Sequence, residues 1–228
     1  MKKKIVFLSK KSSFCNYAAE ILRRAFNEKD LVIVQDKVES KFPEELKWYK
    51  PDYLISFLSP WIVPSYMLGQ AKIAAINFHP GSPRYPGTGC YNFALYEDAK
   101  IYGVTCHHMK KEVDTGNIVK VSYFPIYKDE TVESLKLKSM IHLLYLYQTI
   151  IDLIYSNKSL PKSDLKWEKQ PYTRKQLNAL CEIHPKTMTQ KEIKKRIKST
   201  TYPLAPGPFI DVGGSVFNYP VPERQPIA

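Results

Sequence analysis

The stretch INFHPGSPRYPG, residues 76–87, joins the end of an apolar run to a loop rich in proline and glycine. Residues 74–78 predict a buried β-strand, and the loop begins at the carboxyl end of that strand. In open α/β sheets, ligands bind in the crevice beyond the carboxyl ends of the strands. The stretch therefore predicts an α/β fold that places Asn77 and His79 at the ligand-binding edge of the sheet.

Asn77 and His79 stand two residues apart, so we expect their side chains on the same face of the strand end. An amide donor and an imidazole together suit the stabilisation of an oxyanion and the transfer of a proton. Asp114, in the sequence VDTG, is either an ordinary turn residue or a carboxylate that orients His79. A histidine at a strand end is often structural, so these residues alone leave both interpretations open.

The segments around this stretch alternate between strand and helix patterns, which predicts a mostly parallel sheet with helices packed on it. The predicted strands are residues 4–8, 31–35, 53–58, 74–78, 102–109 and 118–125. The predicted helices are residues 13–27, 64–70, 90–97 and 131–155. The last helix is apolar on most sides, so we expect it to be largely buried. Its apolar residues are Leu135, Leu137, Ile141, Leu144, Ile150, Ile151 and Ile154.

The composition changes after Ser156, where the chain becomes rich in proline and basic residues. We therefore divide the chain into a first domain, residues 1–156, and a small C-terminal extension, residues 157–228. A helix is predicted near residues 190–199. The sequence PFIDVGGSVFNYP predicts a β-hairpin with its turn at Gly213-Gly214.

The bulk composition narrows the class of protein. The chain has 228 residues, of which 44% are hydrophobic, so it can bury a core. The formal net charge of +12 favours an anionic partner, either nucleic acid or a small phosphorylated substrate. There is no apolar run of about 18 residues, and the apolar residues 5–8 are too few for a signal peptide. We therefore expect a cytoplasmic protein.

Several kinds of chemistry are disfavoured by the sequence. The segment SKKSSFCNYA after the first strand contains no glycine, so it forms no phosphate loop of the nucleotide-binding kinds. The four cysteines are scattered and form no C-x-x-C pair, which predicts small buried residues and no metal site. His107 and His108 are adjacent on a predicted strand and face opposite sides, so they cannot both bind one metal ion simply. The remaining prediction is metal-free acyl-type transfer.

Four stretches together resemble the folate-dependent formyltransferases. They are NFHP with the following PRYPG, then YGVTCHHM, then VDTGNIV, and before them PDYLISFLSPWIVP. They occur in the family's order, and the resemblance covers roughly residues 4–155. It implies a Rossmann-like formyltransferase domain and N10-formyltetrahydrofolate as the formyl donor. The formyl group would pass to a primary amine.

The resemblance also implies roles for individual residues. Asn77 and a protonated His79 would stabilise the oxyanion, and Asp114 would orient His79 and assist removal of a proton from the amine. The folate would lie against two loops, largely through backbone groups. The implied folate-binding residues are Phe57, Trp61, Ile62, Val63, Glu112 and Asp114.

The acceptor is best matched by the sugar N-formyltransferases, which act on nucleotide-linked amino sugars. Glycinamide ribonucleotide formyltransferases carry a glycine-rich loop that this chain lacks, and methionyl-tRNA formyltransferases are longer. The loop HPGSPRYPG departs from the commoner family pattern, so it is expected to contact the acceptor. The candidates are Arg84, Tyr85, Pro86, Gly87, Tyr91 and Asn92, with Trp167, Tyr172 and Arg174 for the nucleotide. The C-terminal hairpin either supports a homodimer or covers the monomer's own core.

Overall fold

The structure is a computed structural model that describes residues 3–220. Within that range the strands are β1 (Ile5–Lys10), β2 (Leu31–Asp36), β3 (Tyr53–Phe57), β4 (Ala74–His79), β5 (Ile101–His108), β6 (Ile118–Pro125), β7 (Phe209–Val212) and β8 (Ser215–Asn218). The α-helices are α1 (Ser13–Ala25), α2 (Ser65–Gln70), α3 (Cys90–Tyr96), α4 (Val132–Tyr155), α5 (Arg174–Cys181) and α6 (Gln190–Thr200). Two short 3-10 helices span Glu28–Asp30 and Glu44–Trp48.

Six of the strands form one sheet in the order β2-β1-β3-β4-β5-β6. The pairs among β2, β1, β3 and β4 are parallel, whereas β4–β5 and β5–β6 are antiparallel. The sheet is therefore mostly parallel, which confirms the predicted Rossmann-like architecture. The antiparallel β5 beside β4 puts a second set of side chains next to the end of β4.

Strands β1 and β3 are buried on both faces, as their continuous apolar runs predict, whereas the edge strand β2 is only partly buried. On β1, Ile5 and Phe7 point into the larger core, which includes residues of α1, α3 and α4. The alternate residues Val6 and Leu8 pack with Met67 of α2 in a second core on the other face. This double burial holds the strand ends rigidly where the site residues begin.

Two of the predicted helices, α1 and α4, begin at hydroxyl side chains that cap them. The Ser12 hydroxyl caps α1 by accepting from the Cys15 backbone N–H, and Thr131 caps α4 through a reciprocal pair with Ser134. Helix α5 was not predicted, although Thr173 and Gln176 form the same reciprocal cap at its start. The capping pattern T-x-x-Q is the sequence signal that could have predicted this helix.

The expectation that α4 is buried on most sides was wrong for one face. Leu135, Ile150 and Ile154 are buried, but Leu137 and Ile141 are 53% and 57% exposed. Residues four apart on a helix lie on one face, and Leu137 and Ile141 share the face turned away from the sheet.

Beyond α4, the chain packs back on the sheet domain and then forms the predicted hairpin. Helix α6 contacts α3 and α4, and α5 contacts α6. Strands β7 and β8 pair antiparallel, with Gly213 and Gly214 both at positive φ in the turn. The residues of β8 are exposed. In residues 3–220 no helix is both long and apolar enough to cross a membrane.

Candidate active site

The predicted site residues meet at the carboxyl end of β4. Asn77 and His79 are two residues apart on that strand, and Asp114 reaches the same place from the loop between β5 and β6. Across the β4–β5 pair, Asn77 stands opposite His107, and Nδ2 of Asn77 lies 3.1 Å from Nε2 of His107. The fold thus brings the three predicted residues together and adds His107 to them.

His79 is held between two oxygen acceptors. Its Nδ1 lies 3.1 Å from Oδ2 of Asp114, and its Nε2 lies 2.9 Å from the carbonyl oxygen of Tyr85. Both nitrogens donate to these acceptors when the ring is doubly protonated. The residue is only 5% exposed, so an imidazolium here has its charge beside Asp114 with little screening by water.

Asp114 is the anionic centre of the cluster and is 4% exposed. Its Oδ2 accepts from the Gly87 backbone N–H at 2.8 Å, and its Oδ1 lies 3.2 Å from Nε2 of His107. Burial by itself raises the pKa of this carboxyl. The charge of His79 and the hydrogen bonds from His107 and Gly87 outweigh burial and hold the pKa well below its usual range. Asp114 is therefore ionised at neutral pH.

His107 was not predicted from the sequence as a site residue, but it lies in the cluster between Asn77 and Asp114. Its Nδ1 donates to the carbonyl oxygen of His108 at 2.8 Å, so Nε2 of a neutral ring is an acceptor. That nitrogen then accepts one N–H of the Asn77 amide, and the second N–H stays available to a ligand oxygen. In a cationic ring, Nε2 donates to Asp114 instead. Nε2 of His107 therefore bonds Asn77 in the neutral ring and Asp114 in the cationic ring.

Glycines allow the loops to approach this cluster closely. Gly87 adopts φ +81°, a conformation that favours glycine, and its N–H points at Asp114. Gly116 packs directly on the backbone of β5, and a Cβ there would overlap the carbonyl oxygen of His108. The glycine of the VDTG stretch therefore sets how near Asp114 can come to the histidines.

We expect Gly116→Ala to lower the free energy of unfolding by about 3 kcal/mol, because the added methyl group has no room beside the His108 carbonyl. Urea denaturation of the purified proteins measures the change. Gly69→Ala is the matched control, since a Cβ at Gly69 in α2 would meet nothing within 4 Å. That control should be neutral or slightly stabilising. Equal effects of the two substitutions would show that Gly116 is not sterically required.

A cavity of about 270 Å³ opens beside the cluster. One wall is the loop after β3, residues 58–63, and the opposite wall is the loop after β5, residues 109–114. Asn77, His79 and Asp114 are among the residues that line it. The cavity therefore connects the charged cluster to a partly apolar slot between two loops, which is the usual composition of a small-molecule site.

A family model described as formyl transferase matches residues 3–142, which is more than half of the chain. The chain belongs to the formyl transferase family. The family resemblance carried by the sequence motifs is thereby confirmed.

Relatives of the chain are found among larger members of this family. The bifunctional polymyxin resistance protein ArnA of Wigglesworthia glossinidia brevipalpis is 32% identical over 120 residues, which are 52% of this chain and 18% of that protein. A methionyl-tRNA formyltransferase of Chlorobium phaeovibrioides is 32% identical over 103 residues, 45% of this chain and 32% of that protein. The chain thus spans a third or less of the length of these relatives.

Solved structures share the fold over a greater part of the chain. A 4-N formyltransferase from Francisella tularensis is 19% identical, covers 99% of both chains and has a TM-score of 0.75. An N-formyltransferase from Helicobacter canadensis, in complex with folinic acid and dTDP-3-aminofucose, is 19% identical with a TM-score of 0.72. That match covers 93% of this chain and 85% of the other.

Most of the residues predicted to bind folate line the cavity. These are Trp61, Ile62, Val63, Glu112 and Asp114. Phe57 does not line it, because its ring is fully buried against Phe78 and Tyr147 in the larger core. The side chain of Phe57 is therefore a core residue at the end of β3.

The residues predicted to contact the acceptor lie outside the cavity and bond mainly within the protein. Arg84 and the buried Tyr85 both donate to Glu97 at 3.1 Å, and Asn92 donates to the Ser199 carbonyl at 2.8 Å. Pro86, Gly87 and Tyr91 are likewise absent from the cavity lining. Arg84 and Tyr85 thereby join the loop to the end of α3, and Asn92 joins α3 to α6. The role of the six residues in acceptor binding stays a prediction.

Trp167 is the residue beyond α4 that reaches the cluster. The centroid of its indole ring lies 5.0 Å from the ring centroid of His107 and 5.9 Å from that of His79, in edge-to-face geometry with both. Tyr172, by contrast, stacks on Phe93 at 3.7 Å. Among the described residues, no group of three or more His, Cys, Asp and Glu side chains is arranged to hold a metal ion.

Proposed function

We propose that the protein transfers a formyl group from N10-formyltetrahydrofolate to the primary amine of a nucleotide-linked amino deoxy sugar, such as dTDP-4-amino-4,6-dideoxyglucose. The formylated sugar would serve surface polysaccharide synthesis, including the O-antigen of lipopolysaccharide. The observation that carries this proposal is the cluster at one side of the cavity, in which Asp114 contacts His79 and His107, and His107 contacts Asn77. An amide donor, an imidazolium and a carboxylate are the groups that an acyl-type transfer without a metal requires.

The slot between the two loops fits the ring system of a folate. Its volume of about 270 Å³ is close to the lower end of the range for small-molecule sites, roughly 300 Å³, so it holds a ring and leaves the tail outside. Trp61 and Val63 supply apolar surface on one wall. On the other wall, the backbone of residues 110–113 offers polar groups to a planar, polar ring. Exposed Lys110 and Lys111 supply positive charge at the rim of the cavity, where the carboxylates of a folate tail would lie.

The bound donor would supply the formyl group, and the residues of the chain would stabilise the charge that forms on the formyl oxygen when the amine attacks. Asn77 is the direct hydrogen-bond donor, since one of its N–H groups remains free when His107 holds the other. Both protons of His79 point at Asp114 and at the Tyr85 carbonyl, so His79 would contribute its positive charge.

Asp114 would act mainly as the counterion of His79. A carboxylate whose pKa lies well below the usual range is a weak base, so it takes up a proton from the amine poorly. The amine loses one proton and the leaving nitrogen of the donor gains one. The cluster therefore has only to hold charge and relay a proton, and no net proton remains on Asp114.

A sugar nucleotide is favoured over the other amines of the family for two reasons. The chain and the Francisella tularensis structure cover each other almost completely, whereas the chain spans 32% of the methionyl-tRNA formyltransferase. The segment that leads from β1 into α1 contains no glycine to cradle the phosphate of glycinamide ribonucleotide. The basic charge would suit the diphosphate of a nucleotide sugar.

A panel of amines tests the proposed function. The purified chain is mixed with N10-formyltetrahydrofolate and, separately, dTDP-, UDP- and GDP-linked amino sugars, glycinamide ribonucleotide or methionyl-tRNA, and the products are weighed by mass spectrometry. We expect a mass gain of one formyl group on an amino sugar nucleotide. Formylation of the tRNA alone would replace this proposal with the methionyl-tRNA formyltransferase alternative, and formylation of glycinamide ribonucleotide alone would favour that enzyme.

We further propose that the protein acts in the cytoplasm as a homodimer joined through the C-terminal hairpin. The four cysteines are all unpaired, as is usual in a reducing compartment. Val212, Val216 and Phe217 expose apolar surface on the hairpin, which a partner chain would cover. Light scattering should give twice the 26.4 kDa mass of one chain, and a Phe217→Glu variant should give the mass of one.

A further inference from the structure

The chain between α4 and α5 runs as a strap across the loop that follows β4; the strap comprises residues 167–172. Its backbone bonds that loop at three places: Glu168 N–H to the Pro83 carbonyl at 3.0 Å, Tyr172 N–H to the Pro86 carbonyl at 2.9 Å, and Thr88 N–H to the Tyr172 carbonyl at 2.8 Å. These bonds fix the strap to the loop whose Gly87 N–H donates to Asp114. The loop after β4 therefore bonds both the strap and Asp114 through its backbone.

Side chains anchor the strap at its far end. The Tyr172 ring stacks on Phe93 of α3, and its hydroxyl donates to Glu97 at 3.1 Å. The Lys169 ammonium pairs with the same carboxylate and bonds the Tyr172 hydroxyl at 3.0 Å. An ion pair, a stacked aromatic pair and three backbone bonds hold the strap in one position, although it forms no helix.

Trp167 stands at the near end of the strap, over the two histidines. Its Nε1 donates to the Gly116 carbonyl at 2.8 Å, which ties the indole to the loop that carries Asp114. Trp167 is half-buried and is absent from the lining of the cavity, so its ring covers the cluster from outside the proposed folate slot. Beneath it, His107 is 2% exposed and His79 is 5% exposed.

We infer that Trp167 is a positioning residue that keeps bulk water away from the cluster of His79, His107 and Asp114, so that the formyl group passes to the amine and not to water. This inference rests on the proposed function. In the competing reaction, water attacks the formyl carbon, the carbon–nitrogen bond of the donor breaks, the nitrogen takes up one proton of the water, and formate leaves while the other proton passes to the solvent. The groups that stabilise the oxyanion serve either nucleophile, so the exclusion of water favours transfer to the amine.

The first test measures solvent access without any substrate. The chain is incubated in deuterated water, and deuterium uptake at the C2 carbon of each histidine is followed by mass spectrometry. For Trp167→Ala we expect uptake at His79 and His107 to rise about tenfold over the native protein, because uptake tracks exposure of the buried ring. Trp48→Ala is the matched control, since Trp48 is 79% exposed and lies on the 3-10 helix Glu44–Trp48. It should leave uptake at both histidines unchanged.

The second test measures coupling in the presence of donor and the amine that the panel identifies. The native protein and the Trp48→Ala control should form one formylated product for each tetrahydrofolate released. Trp167→Ala should release a severalfold excess of tetrahydrofolate, with formate as the second product. Trp167→Phe retains an aromatic ring and loses only the bond to Gly116, so its coupling should stay nearer to that of the native protein.

Failure of this inference can be told apart from failure of the proposed function. If Trp167→Ala does not fold, Lys169→Ala replaces it, since that change loosens the anchor at Glu97 and should raise histidine uptake by a smaller factor. Unchanged uptake and unchanged coupling in a folded Trp167→Ala protein would overturn the inference. If the native protein formylates no amine, the proposed function fails, and the uptake experiment alone still decides whether Trp167 shields the histidines.

Discussion

His79→Asn is expected to lower kcat for formyl transfer by about 100- to 1,000-fold, the usual cost of removing one group that stabilises an oxyanion. An asparagine side chain keeps a donor near Asp114 but carries no positive charge. The substitution therefore removes the positive charge that is the counterion of Asp114 and that would stabilise the formyl oxygen. The KM for the donor should change little, because the walls of the cavity, which include Trp61 and Val63, remain in place. Initial rates over a range of donor and acceptor concentrations separate the two parameters.

His142→Asn serves as the matched control for that substitution. His142 lies on α4, stacks on Phe124 at 4.1 Å and is absent from the cavity lining. The same chemical change there should leave kcat close to its native value. A folded His79→Asn protein with native kcat would show that His79 has no part in the reaction, whatever its contacts with Asp114.

The place of the main site residues was predictable because it depends on local features. An apolar strand followed by a loop of prolines and glycines sets Asn77 and His79 at a strand end, and strand ends in such sheets adjoin the ligand crevice. The family motif added Asp114, whose stretch VDTG lies about 35 residues further along the chain. Each of these signals lies within a short stretch of the sequence, so each can be recognised without knowing the fold.

His107 was missed because its position depends on how two strands pair. The alternation of side chains correctly separates His107 from His108, but it does not say which of them faces a neighbouring strand's site residues. Only the antiparallel register of β4 and β5 sets His107 opposite Asn77. Register is a long-range property, fixed by turns and packing as well as by the strand sequence.

The position of Trp167 over the cluster is harder still to predict from neighbouring residues in the sequence. Trp167 bonds Gly116, which is 51 positions earlier in the chain, and it does so from a strap without helical periodicity. The prediction that α4 is largely buried was wrong for one face for a related reason. A run of apolar residues indicates a helix that packs somewhere, but which of its faces meets the sheet is decided by the neighbours that the fold supplies.

Asp114→Asn is expected to lower kcat by about 1,000- to 10,000-fold, since a carboxylate that holds a catalytic histidine in its charged, oriented form can be worth that much. The amide keeps one acceptor for the Gly87 N–H. Its other group is a donor that takes the place of the oxygen facing Nε2 of His107, because the Gly87 N–H and Nδ1 of His79 share one oxygen of Asp114. His79 therefore loses its counterion, and His107 loses its acceptor.

The same substitution should change how stability depends on pH. Because the folded pKa of Asp114 is depressed, ionised Asp114 stabilises the folded protein above its unfolded pKa of about 4, and this stabilisation is lost as pH falls toward the folded pKa. The difference in free energy of unfolding between the native protein and Asp114→Asn should therefore be fully present above about pH 5 and should shrink below about pH 4. Asp164→Asn, at an exposed position beyond α4, should show no such dependence. A constant difference between native and Asp114→Asn proteins across this range, measured by urea denaturation, would mean that the histidines do not hold Asp114 as an anion.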